Sequence, residues 1–165
     1  VSSYYLCSIG SNIDPELHVE QVITELVTRF GRVTLSPFIY TDPVGIASQS
    51  RFLNALFWFN TAQPEGQVKA QFNALEKSHG RDRSDSERSV KDRTLDLDII
   101  AVSATPQFEA PSESYLQPIV QSLFADQALP AGVEFAELNV AGLKLGNRAT
   151  AVDLDPTTRH ISISD

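Results

Sequence analysis

The stretch Arg93-Thr94-Leu95-Asp96-Leu97-Asp98-Ile99-Ile100-Ala101-Val102 constrains this chain more than any other. Its second half is β-rich and apolar, which predicts a strand. Side chains alternate faces along a strand, so Asp96 and Asp98 project together while Leu95, Leu97 and Ile99 point the other way. Neighbouring carboxylates repel each other, and each resists burial unless it is paired or holds a metal. On the pattern alone two readings stand. One is a half-solvated strand with an acidic outer face. The other is an oxygen-only pair for Mg²⁺, which takes one or two carboxylates and completes its octahedron with waters and substrate phosphates.

The segment just upstream bears on that choice. Residues 80–93 hold Arg81, Arg83, Arg88 and Arg93 and show no apolar periodicity. A solvated loop of mixed charge is the plain explanation. Arginine also presents planar, permanently charged donors suited to phosphate oxygens. A polyphosphate bound beside Mg²⁺ needs both signs of charge close together, and an arginine-rich loop feeding a D-x-D strand supplies them.

A chain of 165 residues is expected to form a single domain, residues 1–165, with surface enough to bury a core without disulfides. No apolar run approaches a membrane span, and no basic-apolar-small leader opens the sequence. Cys7 stands alone in an apolar run, which removes a disulfide framework and a cysteine zinc site and fits a reducing cytoplasm. The net charge of −8 argues against a general nucleic-acid binder while leaving room for a local anion site.

In chain order, residues 4–9 read as a strand ended by Gly10-Ser11-Asn12. Asp14 as N-cap, Pro15 at the first helical position and Gly31 as terminator frame a helix over 15–30. Residues 33–40 alternate as a strand that Pro37 marks as an edge or bulged one. The loop over 41–50 is long enough to be functional or a plain connector. Residues 52–61 form a strand apolar on both faces, with Leu53, Ala55, Phe57 and Phe59 on one side and Phe52, Asn54, Leu56 and Trp58 on the other. Asn54 is then a satisfied core amide or a recognition group. Pro64 opens a second helix that Gly80 ends.

The order is β-α-β-β-α-β, the ferredoxin-like split βαβ of an α+β fold, with both helices on one sheet face and the aspartates on the open one. A C-terminal extension follows. Its residues 103–118 read as loop, 120–124 as a short helix or strand, and 144–145, 150–154 and 160–163 as a terminal hairpin with Asp155-Pro156 in the turn.

Several chemistries are absent. There is no P-loop, no G-x-G-x-x-G and no nucleophile elbow. His18, His79 and His160 are scattered, which predicts surface or helix-end roles. An RNA-recognition module shares the element order, but its aromatic signature is missing and the charge is of the wrong sign.

Taken together, Ile9-Gly10-Ser11-Asn12, Tyr40-Thr41-Asp42-Pro43-Val44-Gly45, Phe52-Leu53-Asn54, Glu76 through Gly80-Arg81-Asp82-Arg83, and Arg93-Thr94-Leu95-Asp96-Leu97-Asp98-Ile99 resemble the 6-hydroxymethyl-7,8-dihydropterin pyrophosphokinase family. The resemblance runs from about Tyr4 to Val102. It implies transfer of the β,γ-pyrophosphoryl group of ATP to a pterin hydroxymethyl group, leaving AMP. It implies two Mg²⁺ ions on Asp96 and Asp98, with Arg83 and Arg93 beside them in catalysis. ATP would meet Glu76, Arg81, Arg83, Arg93 and Ile99. The pterin would meet Thr41, Pro43, Val44, Phe52 and Asn54, with Phe124 as a second stacking aromatic. The expected partners are these small molecules alone, with no nucleic acid and no membrane, in a cytoplasmic monomer.

The sequence departs from the family pattern in two places. Ser89-Val90-Lys91-Asp92 replaces the usual lead into the D-x-D run. The window from Ser114 to Phe124 lacks the family's His and Arg. The alternative they raise is a catalytically impaired paralogue that binds pterin or nucleotide as a regulatory or binding protein.

Overall fold

The computed structural model describes residues 1–42, 51–80 and 94–164. Its elements run β1 (Ser3–Ser11), α1 (Pro15–Phe30), β2 (Arg32–Leu35), β3 (Ile39–Thr41), β4 (Phe52–Thr61), α2 (Glu65–Ser78) and β5 (Asp96–Ser103). A 3-10 turn (Ser114–Leu116), α3 (Gln117–Ala125), β6 (Leu138–Val140), β7 (Leu143–Leu145), β8 (Thr150–Leu154) and β9 (Ile161–Ser164) follow. This is an α+β protein. Its main sheet has the order β5-β1-β4-β2-β8-β9, with β3 also on β4, and β6-β7 form a separate hairpin.

Alternation sorts the sheet into two faces. Cys7 and Ile9 of β1, Leu53, Ala55, Phe57 and Phe59 of β4, and Leu95 and Leu97 beside or within β5 meet the apolar stripe of α1 and Val68, Phe72 and Leu75 of α2. Ile99 packs partly against the same core. α1 begins where expected, with Pro15 in its first turn, and Gly31 at φ 83° ends it by donating to the Val27 carbonyl. Asp14 differs from expectation. It takes a left-handed backbone and makes no side-chain cap, and its carbonyl accepts from His18 N–H instead. The sharp entry from β1 excludes the extended conformation from which a capping carboxylate reaches back.

The opposite face is not open throughout. Leu6, Ile39 and Leu56 are apolar there and need cover, which Leu116, Ile119 and Val120 provide. Residues 117–125 are therefore helical, and the segment expected as loop contains the 3-10 turn.

Pro37 breaks the expected strand over 33–40 into β2 and β3, and it does so as a bulge rather than at an edge, because β8 pairs with β2 on the far side. Ser36 repairs the break. It is 1% exposed, and its hydroxyl accepts the Leu56 N–H at 2.9 Å while donating to the Pro37 carbonyl at 2.8 Å. β8 and β9 form the expected hairpin, with Asp155 Oδ1 accepting from the Thr157 and Thr158 amides. Those two donors hold the Asp155 carboxyl below its usual range. Lys144 and Leu145 belong instead to β7, paired with β6.

The fold also joins two histidines that lie 61 positions apart. His18 Nδ1 and His79 Nδ1 are 2.8 Å apart, and His79 Nε2 lies 2.7 Å from Glu25 Oε1. With Glu25 accepting from Nε2–H, a neutral His79 accepts at Nδ1 and His18 donates, so the two rings share one proton along this line. Desolvation, then the neighbouring His79, lowers the His18 pKa, and Asp14 partly opposes the shift.

Two outcomes are expected. Ser36→Ala leaves the buried Leu56 amide without its acceptor and destabilises the fold by about 1–3 kcal/mol, read from a denaturant midpoint. For His18, the unfolded chain takes up a proton before the folded one as pH falls through about 6.5. Stability is therefore complete above that value and declines below it. His18→Gln, which cannot titrate, flattens this part of the stability–pH curve measured by thermal melts.

Candidate active site

The register of β1 assembles the site. Gly10 lies opposite Asp96 of β5 on one side and Asn54 of β4 on the other, and Ser8 lies opposite Asp98 and Leu56 in the same way. Residues directly opposed across antiparallel strands share a face. Asp96, Asp98 and Asn54 therefore stand on one side of the sheet, with Leu97 turned into the core between the carboxylates. A bulge at Ile100 lets Ala101 rather than Ile100 oppose Leu6. The phase change comes beyond Asp98, so both carboxylates keep their common face.

A cavity of about 180 Å³ lies over this surface. Its lining includes Ser8, Gly10, Thr41, Asp42, Phe52 and Asn54. Among the described residues Ile9, Asp96, Asp98 and Tyr115 complete the wall. Asn54 Nδ2 donates to Thr41 Oγ1, which fixes the amide plane. Phe52 opposes Thr41 across the β3–β4 pair and offers an aromatic surface beside that amide. Asp98 is exposed and Asp96 half-buried, so both remain within reach of a ligand in water. Cys7 is no nucleophile here. Burial first, and the Asp98 charge second, push its thiol well above the ordinary range.

Five of the residues singled out from sequence line this one cavity: Thr41, Phe52, Asn54, Asp96 and Asp98. Glu76 lies elsewhere. It is 1% exposed, and its Oε2 accepts the Leu97 N–H at 2.8 Å. β5 is an end strand of the sheet, so Glu76 supplies an acceptor to an amide between the two aspartates. Phe124 is 38% exposed and tilts against Phe108 with ring centroids 6.2 Å apart, away from the cavity lining. Pro43, Val44, Arg81, Arg83 and Arg93 lie outside the described residues.

Sequence reasoning passed over five lining residues. Ile9, Gly10 and Asp42 sit inside recognised runs, but Ile9 read as part of a strand, Gly10 as a turn and Asp42 as loop. Ser8 carried only the alternation of β1. Tyr115 lies in a proline-containing stretch without periodicity, so only packing reveals its position.

Among the described residues no group of three or more His, Cys, Asp or Glu is placed to hold a metal by itself. The site instead offers two carboxylates and room for further oxygen ligands. That is a donor set for Mg²⁺ with phosphates, and a poor one for zinc. Among the described residues no helix is long and apolar enough to cross a membrane.

Residues 6–128 match the family described as 7,8-dihydro-6-hydroxymethylpterin-pyrophosphokinase. Two curated relatives, from two strains of Porphyromonas gingivalis, are each a 2-amino-4-hydroxy-6-hydroxymethyldihydropteridine pyrophosphokinase. Each is 32% identical over 106 residues, covering 63% of this chain and 72% of the relative. The matched segment contains β1 from Leu6 onward, β4, β5 and Tyr115, and with them every described residue that lines the cavity. The chain belongs to the 7,8-dihydro-6-hydroxymethylpterin-pyrophosphokinase family.

Proposed function

We infer that the protein transfers pyrophosphate from ATP to 6-hydroxymethyl-7,8-dihydropterin in folate biosynthesis, and that the cavity over β1, β4 and β5 is where this happens. The observation that carries the reading is the shared face of Asp96, Asp98 and Asn54, set by their opposition to Ser8 and Gly10. It puts a pair of anionic oxygens and a heterocycle-reading amide in one small cavity. The β5-β1-β4-β2 part of the sheet, with α1 and α2 on one face, supports a ferredoxin-like unit, extended by β8 and β9.

Asn54 offers both a donor and an acceptor for the 2-amino-4-oxo edge of a pterin, and its bond to Thr41 holds the amide ready. Phe52 provides a stacking surface for the flat ring. The hydroxymethyl oxygen then attacks the β-phosphorus of ATP, the bond from that phosphorus to the α,β-bridging oxygen breaks, AMP leaves, and the hydroxyl proton passes to solvent. Asp96 and Asp98 would hold two Mg²⁺ ions. Bound there, they would supply positive charge for the phosphates and for the attacking and leaving oxygens. Arg81, Arg83 and Arg93 supply guanidinium groups for the triphosphate from the segment joining α2 to β5. Ile99 packs partly against the helix-side core and Phe124 against Phe108, so neither has a part in this reading of the cavity. Glu76 contributes by holding the Leu97 amide, and so the spacing of the two carboxylates.

Gly10 is part of the recognition geometry. A Cβ at this position would meet Asn54 Oδ1 at 2.9 Å, closer than such atoms pack. The glycine is therefore needed for the Asn54 amide to lie across β1 and still reach Thr41.

Purified protein given ATP, Mg²⁺ and 6-hydroxymethyl-7,8-dihydropterin is expected to release AMP and the pterin diphosphate. Binding of both ligands without AMP would instead identify a binding or regulatory protein. Asp96→Asn and Asp98→Asn should each lower kcat on the order of 10²- to 10³-fold, the scale of several kcal/mol of charge stabilisation. If neither changes turnover, the metal assignment is wrong. Gly10→Ala should displace the Asn54 amide and weaken pterin binding about tenfold in calorimetric titration, with little change in ATP affinity.

A further inference from the structure

One flank of the β3–β4 end, which carries Thr41 and Phe52, borders a second cavity of about 400 Å³ rather than packed side chains. Tyr40, Thr41, Asp42 and Arg51 all line that cavity. Close packing fixes the rest of β4, but on this flank it is missing, and polar contacts take its place.

Those contacts come from a segment beyond the family match, which ends at residue 128. Residues 134–136 run beside β3. Tyr40 N–H donates to the Glu134 carbonyl at 3.1 Å, Ala136 N–H donates to the Phe38 carbonyl at 2.8 Å, and Ile39 bridges to Phe135. The Glu134 side chain then reaches the residue in front of β4, its Oε2 accepting from Arg51 Nη1 at 2.8 Å. Arg51 also lies over the Tyr40 ring, with its guanidinium carbon 4.9 Å from the centroid. The Tyr40 hydroxyl donates to Glu16 Oε1 of α1 at 2.6 Å. The chain is thus continuous from α1 to the C-terminal segment. It grips the residue before Thr41 and the residue before Phe52.

We propose that Glu134 and Arg51 are a positioning pair for the heterocycle site: they hold the ends of β3 and β4 together so that Thr41, Phe52 and Asn54 keep the spacing a pterin reads. This rests on the pterin reading of the first cavity. Neither side chain lines that cavity, so each acts through its neighbour in the chain. Thr41 passes the effect on, since it pairs with Phe52 and accepts from the Asn54 amide. Arg51 and Glu134 are 46% and 65% exposed, and an ion pair in water adds little to folding. Its effect falls on binding instead. Without the pair, the ligand must itself order the strand ends, and its affinity drops by that amount.

The test is titration calorimetry on the full chain. An α,β-methylene analogue of ATP with Mg²⁺ is titrated first, and 6-hydroxymethyl-7,8-dihydropterin is then titrated into that complex. Glu134→Ala and Arg51→Ala should each weaken pterin binding about fivefold and leave the nucleotide affinity within about twofold of wild type, the scale of coupling between groups in contact. The double variant should lose no more than either single one. Arg51→Lys keeps a cation for both Glu134 and the Tyr40 ring and should recover most of the loss. Arg32→Ala removes the exposed pair across β2 and β8 and should change neither affinity. Thermal melts check that each variant is folded, as the exposure of these side chains favours. The proposal is overturned if the alanine variants bind the pterin as wild type does, if their losses add, or if nucleotide affinity falls equally. It is also overturned if Arg51→Lys is no better than Arg51→Ala, or if Arg32→Ala weakens pterin binding as much. A wild-type chain that takes the nucleotide analogue and no pterin would overturn the pterin reading itself, and the role of this pair with it.

Discussion

The antiparallel pairing of β1 with both β4 and β5 is the constraint on which the rest depends. Gly10 and Ser8 are each flanked on two sides, by Asp96 and Asn54 in one row and by Asp98 and Leu56 in the next. A slip of one residue on either side would turn a carboxylate or the amide into the helix-side core. What resists the slip is apolar burial. Cys7, Ile9, Leu53, Ala55, Leu95 and Leu97 all lie on the helix side of the same strands and are packed against α1 and α2. The polar chemistry of one face is thus held in register by hydrophobic burial on the other.

Three buried polar groups finish this frame where strand pairing cannot. Ser36 substitutes a hydroxyl for the ladder that Pro37 interrupts. Glu76 reaches from α2 to an amide of the end strand β5. His79, at the end of the same helix, joins His18 of α1 and Glu25. Glu76 and His79 are three residues apart, so one turn of α2 both supports the aspartate strand and ties the two helices together. By contrast the exposed pair Arg32–Asp153, which spans β2 and β8, adds little stability.

The C-terminal segment changes the character of the sheet's second face. Without α3 and the 3-10 turn, Leu6, Ile39 and Leu56 would be left in water and the cavity would be an open shelf. Their cover also delivers Tyr115. Packing demand and site closure are therefore met by one piece of chain. The family match extends to residue 128 and so takes in this piece.

Strand and helix periodicity in the sequence determined the two faces of β4 and β5, the limits of α1, and the side of the sheet on which Asp96, Asp98, Phe52 and Asn54 stand, because alternation is a local property of the backbone. The run from Arg93 to Ile99, with its companions upstream, pointed to the family for the same reason: its residues are contiguous. Only the tertiary structure decided what lies across space. Glu76 meets Leu97, His18 meets His79, Ser36 repairs the break at Pro37, and Tyr115 rather than Phe124 reaches the cavity. None of these contacts leaves a periodic trace, since each joins residues whose separation along the chain is set by loops, and the energy that selects them is the burial of polar atoms needing partners and of apolar faces needing cover.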